Sequence, residues 1–139
     1  MKIMLDSNVL ISIALFKTSN MSGMLEQILS EHEIVLCDYI LTETIRVTNK
    51  KFPKKINIMI DFIKNLYYEV FNLIDFDPKN YPYIKDIKDL PILANAIEAG
   101  VDIIITGDTD FDEVKIPKPT ILKPRQYIDI FLSVGHAFE

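Results

Sequence analysis

The chain has 139 residues, 49% of them hydrophobic and 25% charged, which suits one globular core and excludes collagen-like, low-complexity and largely disordered chains. Fifteen Lys and Arg against 20 Asp and Glu leave a net charge of −5, so a uniformly basic nucleic-acid coat is excluded while a local basic patch stays open. Cys37 is the only cysteine, which leaves no disulfide framework or thiolate metal cluster and fits a reducing, cytoplasmic setting.

Lys2-Ile3-Met4-Leu5 reads as a short strand, and Val9 to Phe16, apolar on nearly every side, as a buried helix. Asp6, Ser7 and Asn8 interrupt this apolar start, no small-residue cleavage site follows, and Val9–Phe16 is too short to cross a bilayer. Neither secretion nor membrane insertion is expected. Met21, Met24, Leu25, Ile28 and Leu29 fall at helical spacing, and Ile34 to Cys37 reads as a second strand. A helix follows from Tyr39 to Lys50, another carries the stripe Ile56, Met59, Ile60, Ile63 and Leu66, and Val70 to Ile74 is strand-like. Pro78 and Pro82 break the pattern into a loop. Leu90 to Ala99 is helical, with Pro91 in the first turn and Gly100 placed for a left-handed C-terminal cap. Asp102 to Thr106 and Thr120 to Leu122 are strands, and Gln126 to Leu132 is a terminal helix. The alternation predicts one α/β domain over residues 1–139, a three-layer α/β/α sandwich around a parallel sheet.

Asp6 lies just past the first strand and Asp108 two residues past Thr106, so both sit at carboxyl ends, the edge where open parallel sheets bind ligands. Each also has a structural reading, Asp6 as a helix cap and Asp108 as a turn residue beside Gly107. Glu43 shares a helix row with Ile40 and Val47. A carboxylate on such an apolar face must be protonated, paired, for instance with Arg46, or bound to a cation. Asp89 stands at the N-cap position of the helix from Leu90, where capping and metal binding can coexist. Were Asp6, Glu43, Asp89 and Asp108 to meet, each pair about 4 Å apart would repel by on the order of 4 kcal/mol at an effective dielectric near 20. A hard cation would relieve this. No His or Cys neighbours these acids in sequence, and oxygen-only ligation favours Mg2+ or Mn2+ and phosphate chemistry. His32 and His136 have no evident partner.

Together Asp6-Ser7-Asn8-Val9-Leu10, an acid on the helix after the second strand, Asp89-Leu90-Pro91-Ile92-Leu93-Ala94-Asn95-Ala96 and Asp102-Ile103-Ile104-Ile105-Thr106-Gly107-Asp108 resemble a PIN domain over almost the whole chain. The segment Leu122-Lys123-Pro124-Arg125-Gln126-Tyr127 is similar to the ending of the VapC-type toxins of toxin-antitoxin pairs. The resemblance implies a sheet ordered 3-2-1-4-5 and a metal-dependent endoribonuclease. Asp6 and Asp89 would be the principal metal ligands, with Glu43 and Asp108 completing the catalytic set directly or through water. Ser7 occupies a position where the family usually has threonine or serine; Asn8, Thr106 and Asp110 are supporting candidates, Asp110 as an alternative to Asp108. The implied reaction is in-line attack on phosphorus by a metal-activated water, leaving a 5′ phosphate. An antitoxin partner and a homodimer are implied too, with an apolar groove between residues 9–30 and 39–66 as the docking surface.

Arg46, Lys50, Lys51 and Lys54, with Lys55 and Phe52, form the densest basic run. It reads either as an RNA track or as a solvated helix end. Lys115, Lys118, Lys123 and Arg125 form a second run. Tyr67, Tyr68 and Phe71 read as core rather than as a base-stacking platform. A non-catalytic RNA- or protein-binding scaffold is the competing reading, disfavoured because a binding site has no need of four mutually repelling acids. An aspartate-nucleophile phosphatase would need a second acid where Asn8 stands, and a receiver domain an acidic pair before Asp6.

Overall fold

A computed structural model describes residues 1–132; His136 lies outside them. Five parallel strands form one sheet in the order β3-β2-β1-β4-β5, the predicted architecture. Central β1 (Lys2–Leu5) pairs with β2 (Glu33–Leu36) on one side and β4 (Ile103–Ile105) on the other. Ile3 stands opposite both Ile34 and Ile103. Helices cover both faces, so Ile3, Met4, Leu5, Ile104 and Ile105 are fully buried. That explains why these strands read as unbroken apolar runs rather than alternating ones. β5 (Thr120–Leu122) closes one edge.

Helix α1 (Ser7–Ile11) begins directly after β1, because Asp6 O accepts from both Val9 N and Leu10 N. It passes without a break into a wider π-helical turn, Ser12–Phe16, that ends at Lys17 with φ +35°. The predicted helix thus starts two residues earlier than its apolar run. In α2 (Ser19–Glu31), capped by the Thr18 hydroxyl, Met24 and Ile28 are fully buried. α3 (Asp38–Lys51) departs from the expected row: the fully buried residues are Ile40, Thr44 and Thr48, and Glu43 flanks them, half-buried. Both threonine hydroxyls donate to the carbonyl four residues back, at 2.7 Å, which lets polar residues occupy a core row.

After α4 (Ile56–Asn65) the predicted strand Val70–Ile74 shrinks to the two residues of β3, Glu69–Val70. Phe71 N still donates to Leu36 O. Two residues later Leu73 N donates instead to the Asn95 side chain at 2.8 Å, and Ile74 is fully exposed. A buried amide in the next helix thus draws the chain off the sheet. α5 (Leu90–Glu98) ends in a Schellman cap: Gly100, at φ +70°, donates to Ile97 O and Val101 N reaches Ala96 O. α6 (Pro124–Phe131) starts two residues before its expected position and is tied to α2 by Tyr127, whose buried hydroxyl donates to Gln27 Oε1 at 2.5 Å. Tyr67 is 88% exposed, contrary to its reading as core, while Tyr68 and Phe71 pack half-buried against the core. No helix among the described residues is long and apolar enough to cross a membrane.

Candidate active site and metal centre

Strand order reverses between β1 and β4, so the segments leaving their carboxyl ends lie side by side at a crevice. Asp6 leaves β1 there, 2% exposed. Its Oδ2 accepts from the Thr106 hydroxyl at 2.7 Å and from Asn8 Nδ2 at 3.3 Å; its Oδ1 accepts from Ser7 N at 2.7 Å. The capping role expected of Asp6 is real and is combined with a position among other acids. Burial raises its pKa, the Thr106 and Ser7 hydrogen bonds oppose that shift, and the charges of Glu43 and Asp108 reinforce it. Asn8 also accepts from Gly107 N at 2.9 Å. A Cβ at position 107 would press to 3.4 Å from Asn8 Oδ1, so glycine lets the β4 loop close on α1.

Glu43 reaches the same crevice from α3. Its Oε1 accepts from the Ser7 hydroxyl at 2.5 Å, while Arg46 stands 3.9 Å from Oε2. Ser7 therefore links the acid that follows β1 to the acid carried by α3.

Asp89 closes the short turn Ile87–Asp89 before α5. It occupies the N-cap position but its side chain makes no capping bond, which corrects the plain capping reading. The carboxyl is 8% exposed, and its Oδ2 has no hydrogen-bond partner among the described residues. Burial, then the adjacent Asp108 carboxyl, then Asp6 and Asp86, push its pKa up to about 7. Its charged form is therefore disfavoured in this pocket when no cation is bound.

Asp108 Oδ1 accepts from Asp110 N at 2.8 Å, making the expected turn, and Asp108 N donates to the Thr106 hydroxyl at 3.0 Å. The choice left open between Asp108 and Asp110 resolves into two directions. Asp108 borders Asp6 and Asp89, whereas one carboxylate oxygen each of Asp110, Asp89 and Asp86 lie within 4.8 Å of one another. Sequence reasoning missed Asp86. Its three-residue spacing from Asp89 is visible in the sequence, but the three-residue turn that puts both side chains on one side is not.

These residues fit a hard divalent cation. Every donor is oxygen, the buried Asp89 carboxyl has an unpartnered oxygen, and Arg46 alone among the described cations forms an ion pair with any of the six acids. Unit charges 4.8 Å apart repel by roughly 3–4 kcal/mol at an effective dielectric near 20. A bound Mg2+ or Mn2+ reverses the sign of that interaction.

The basic run leads away from the crevice along α3. Lys50 is seven residues beyond Glu43, about 10 Å at 1.5 Å per residue, and Lys51 and Lys54 follow round the helix end. Lys50, Lys51 and Lys54 are exposed and form no ion pair among the described residues. Lys55 lies over the Phe16 ring, 5.3 Å from its centroid, and Phe16 packs edge-on against Phe52. On another face, Leu25, Leu29, Ile58, Phe62, Leu66 and Tyr67 line an open groove of about 530 Å³ between α2 and α4.

Residues 2–110 match the sequence model of the PIN domain. This chain belongs to the PIN domain family. Among solved structures, a chain from the Rickettsia felis VapBC2 complex bound to a DNA fragment from their promoter is similar at a TM-score of 0.64 and 19% identity, covering 88% of this chain and 98% of that one. Mycobacterium tuberculosis VapC20, a Sarcin-Ricin loop cleaving toxin, gives a TM-score of 0.55 at 11% identity, over 79% of this PIN domain chain and 92% of its own. Both are likenesses of fold. No curated protein matches in sequence.

Proposed function

We infer that this PIN domain is a divalent-cation-dependent endoribonuclease, the toxin of a toxin-antitoxin pair working in the cytoplasm. The observation that carries the reading is the meeting of Asp6, Glu43, Asp89 and Asp108 at one crevice, where burial and neighbouring carboxylates raise the pKa of the two most buried acids. Such mutual repulsion serves binding alone poorly and cation ligation well.

Asp6, Asp89, Glu43 and Asp108 are the residues that would hold Mg2+ or Mn2+, which when bound supplies Lewis-acid charge for a scissile phosphate and acidifies the attacking water. The chain's own contribution is positioning. Thr106, Ser7 N and Asn8 fix the Asp6 carboxylate. The Ser7 hydroxyl orients Glu43, and Arg46 beside it is placed to meet a phosphate. Asp110 supports the loop through Asp108. Arg46, Lys50, Lys51 and Lys54 would hold the RNA backbone, offsetting the repulsion between an acidic pocket and a polyanion. The fold shared with the VapBC2 chain supports a protein antitoxin as partner, and the apolar lining of the Leu29–Ile58 groove is the surface proposed for it and for a homodimer.

The test is incubation of the purified protein with single-stranded and structured RNA, with Mn2+ or with chelator. Cleavage abolished by chelator and by Asp6→Asn, with the variant still folded, is the expected result. Binding without cuts would identify a scaffold and overturn the nuclease reading.

A further inference from the structure

Tyr83 and Ile87 are 74% and 64% exposed on the segment that leads into α5, so packing of the core gives no reason for either. The segment itself is anchored. Ile84 between them is buried, the Tyr81 hydroxyl donates to Glu98 Oε1 at 3.0 Å while its ring packs edge-on against Phe76, and Tyr39 Oη donates to Lys88 O at 2.6 Å. Apolar side chains held in water by an anchored frame mark a binding surface. Tyr81, Pro82, Tyr83 and Ile87, with Lys85 and Asp86, line an open pocket of about 450 Å³, within the size range of small-ligand sites.

Two features select the occupant. Asp86 joins the pocket to the acid crevice, because it lines the pocket and one of its carboxylate oxygens lies within 4.8 Å of oxygens of Asp89 and Asp110. A strand that brings a phosphate to those acids carries its adjoining nucleotide past the pocket mouth. Lys85 and Lys88 are exposed and form no ion pair among the described residues, so free positive charge borders the pocket. An aromatic ring, apolar walls and nearby ammonium groups together hold an unstacked base and its phosphates.

We propose that this pocket is a nucleobase subsite, in which a base of single-stranded RNA beside the scissile phosphate stacks on Tyr83 while Lys85 and Lys88 meet the flanking phosphates. This rests on reading RNA as the substrate of the acid crevice. It adds the place where a base is gripped, and Tyr83 as the residue that grips it.

The test compares two labelled probes of equal charge, a uridine decamer and an abasic ribose-phosphate decamer, by fluorescence anisotropy. Binding is read with MnCl2 on the full chain carrying Asp6→Asn, so that the probes stay uncut, and Mn2+-dependent cleavage of a structured RNA is read in parallel on the wild type. Adding Tyr83→Ala should weaken binding of the uridine decamer by at least about fivefold and leave the abasic one within about twofold, because base stacking is lost and backbone contacts are kept. Tyr83→Phe should restore the uridine affinity. Joint Lys85→Gln and Lys88→Gln should weaken both probes by similar factors. Tyr83 is exposed, so the fold is expected to survive each change, which circular dichroism checks. Equal effects of Tyr83→Ala on the two probes, or no effect on either, overturn the base subsite, and cleavage by the wild type then leaves the nuclease standing. A wild type that cuts nothing while the uridine-specific loss persists overturns the nuclease and leaves the base subsite. A chain that binds neither probe overturns both.

Discussion

The hydroxyl of Thr106 donates to Asp6 Oδ2 and accepts from Asp108 N, so one side chain sets the separation of acids carried by β1 and by the loop after β4. Thr106→Val should therefore loosen both, with cleavage falling by about 10- to 100-fold and unfolding free energy by about 1.5–3 kcal/mol. Thr106→Ser should retain most of each; equal losses in the two variants would mean that the methyl group, and not the hydroxyl, matters. Asp6 and Asp108 were legible in the sequence because a strand's carboxyl end can be found from a short apolar run. Glu43 was legible as a charge on an apolar helix, although its row was misplaced by one position. Asp86 was not legible, since its placement depends on a three-residue turn and on Tyr39 holding that turn against α3, a contact between segments far apart in sequence.

Most elements were readable from apolar periodicity, and the exceptions have tertiary causes. The strand expected over Val70–Ile74 has the right composition, but the Asn95 amide captures Leu73 N while its Nδ2 donates to Pro91 O. Propensity lost to a buried polar group that needed partners. Asn95→Ala removes both bonds. The expected outcome is a loss of about 2 kcal/mol in urea unfolding, together with faster amide exchange from Phe71 to Asp75. Unchanged exchange there would show that the segment is held by other contacts. The same helix shows the opposite case, because the Gly100 cap was readable from one glycine after a periodic run and forms as expected.

The distribution of charge over the molecule governs both substrate and stability. Between Glu43 and Asp61 the chain holds Arg46, Lys50, Lys51, Lys54 and Lys55 and no acid, within a protein of net charge −5. Joint replacement of Lys50, Lys51 and Lys54 by Ala should weaken single-stranded RNA binding and flatten its salt dependence, the log–log slope falling by about 0.7 per lost phosphate contact. An unchanged slope would remove this face from the RNA path. The acids act in the other direction. Asp89 is ordinarily ionised above pH 3.8 in an unfolded chain, but its pKa is raised to about 7 in the folded one. The folded state then binds more protons, so this group's contribution to stability is full below the unfolded value and is lost as pH rises through 7. Burial gives Asp6 a shift of the same sign.

A divalent cation should restore what the rise in pH removes, and the decisive measurement is the melting temperature at about pH 5 and about pH 8, with and without MnCl2, for wild type and Asp89→Asn. Without metal, the wild type should melt lower at the higher pH, and Asp89→Asn should melt higher than it there. Saturating Mn2+ at about 100 times its dissociation constant should raise the wild type by several degrees, on the order of 2.7 kcal/mol of linkage, more at the higher pH, and leave Asp89→Asn nearly unmoved. A wild type indifferent to Mn2+, or a variant that gains as much as the wild type, would contradict the claim that these carboxylates form one cation-binding centre.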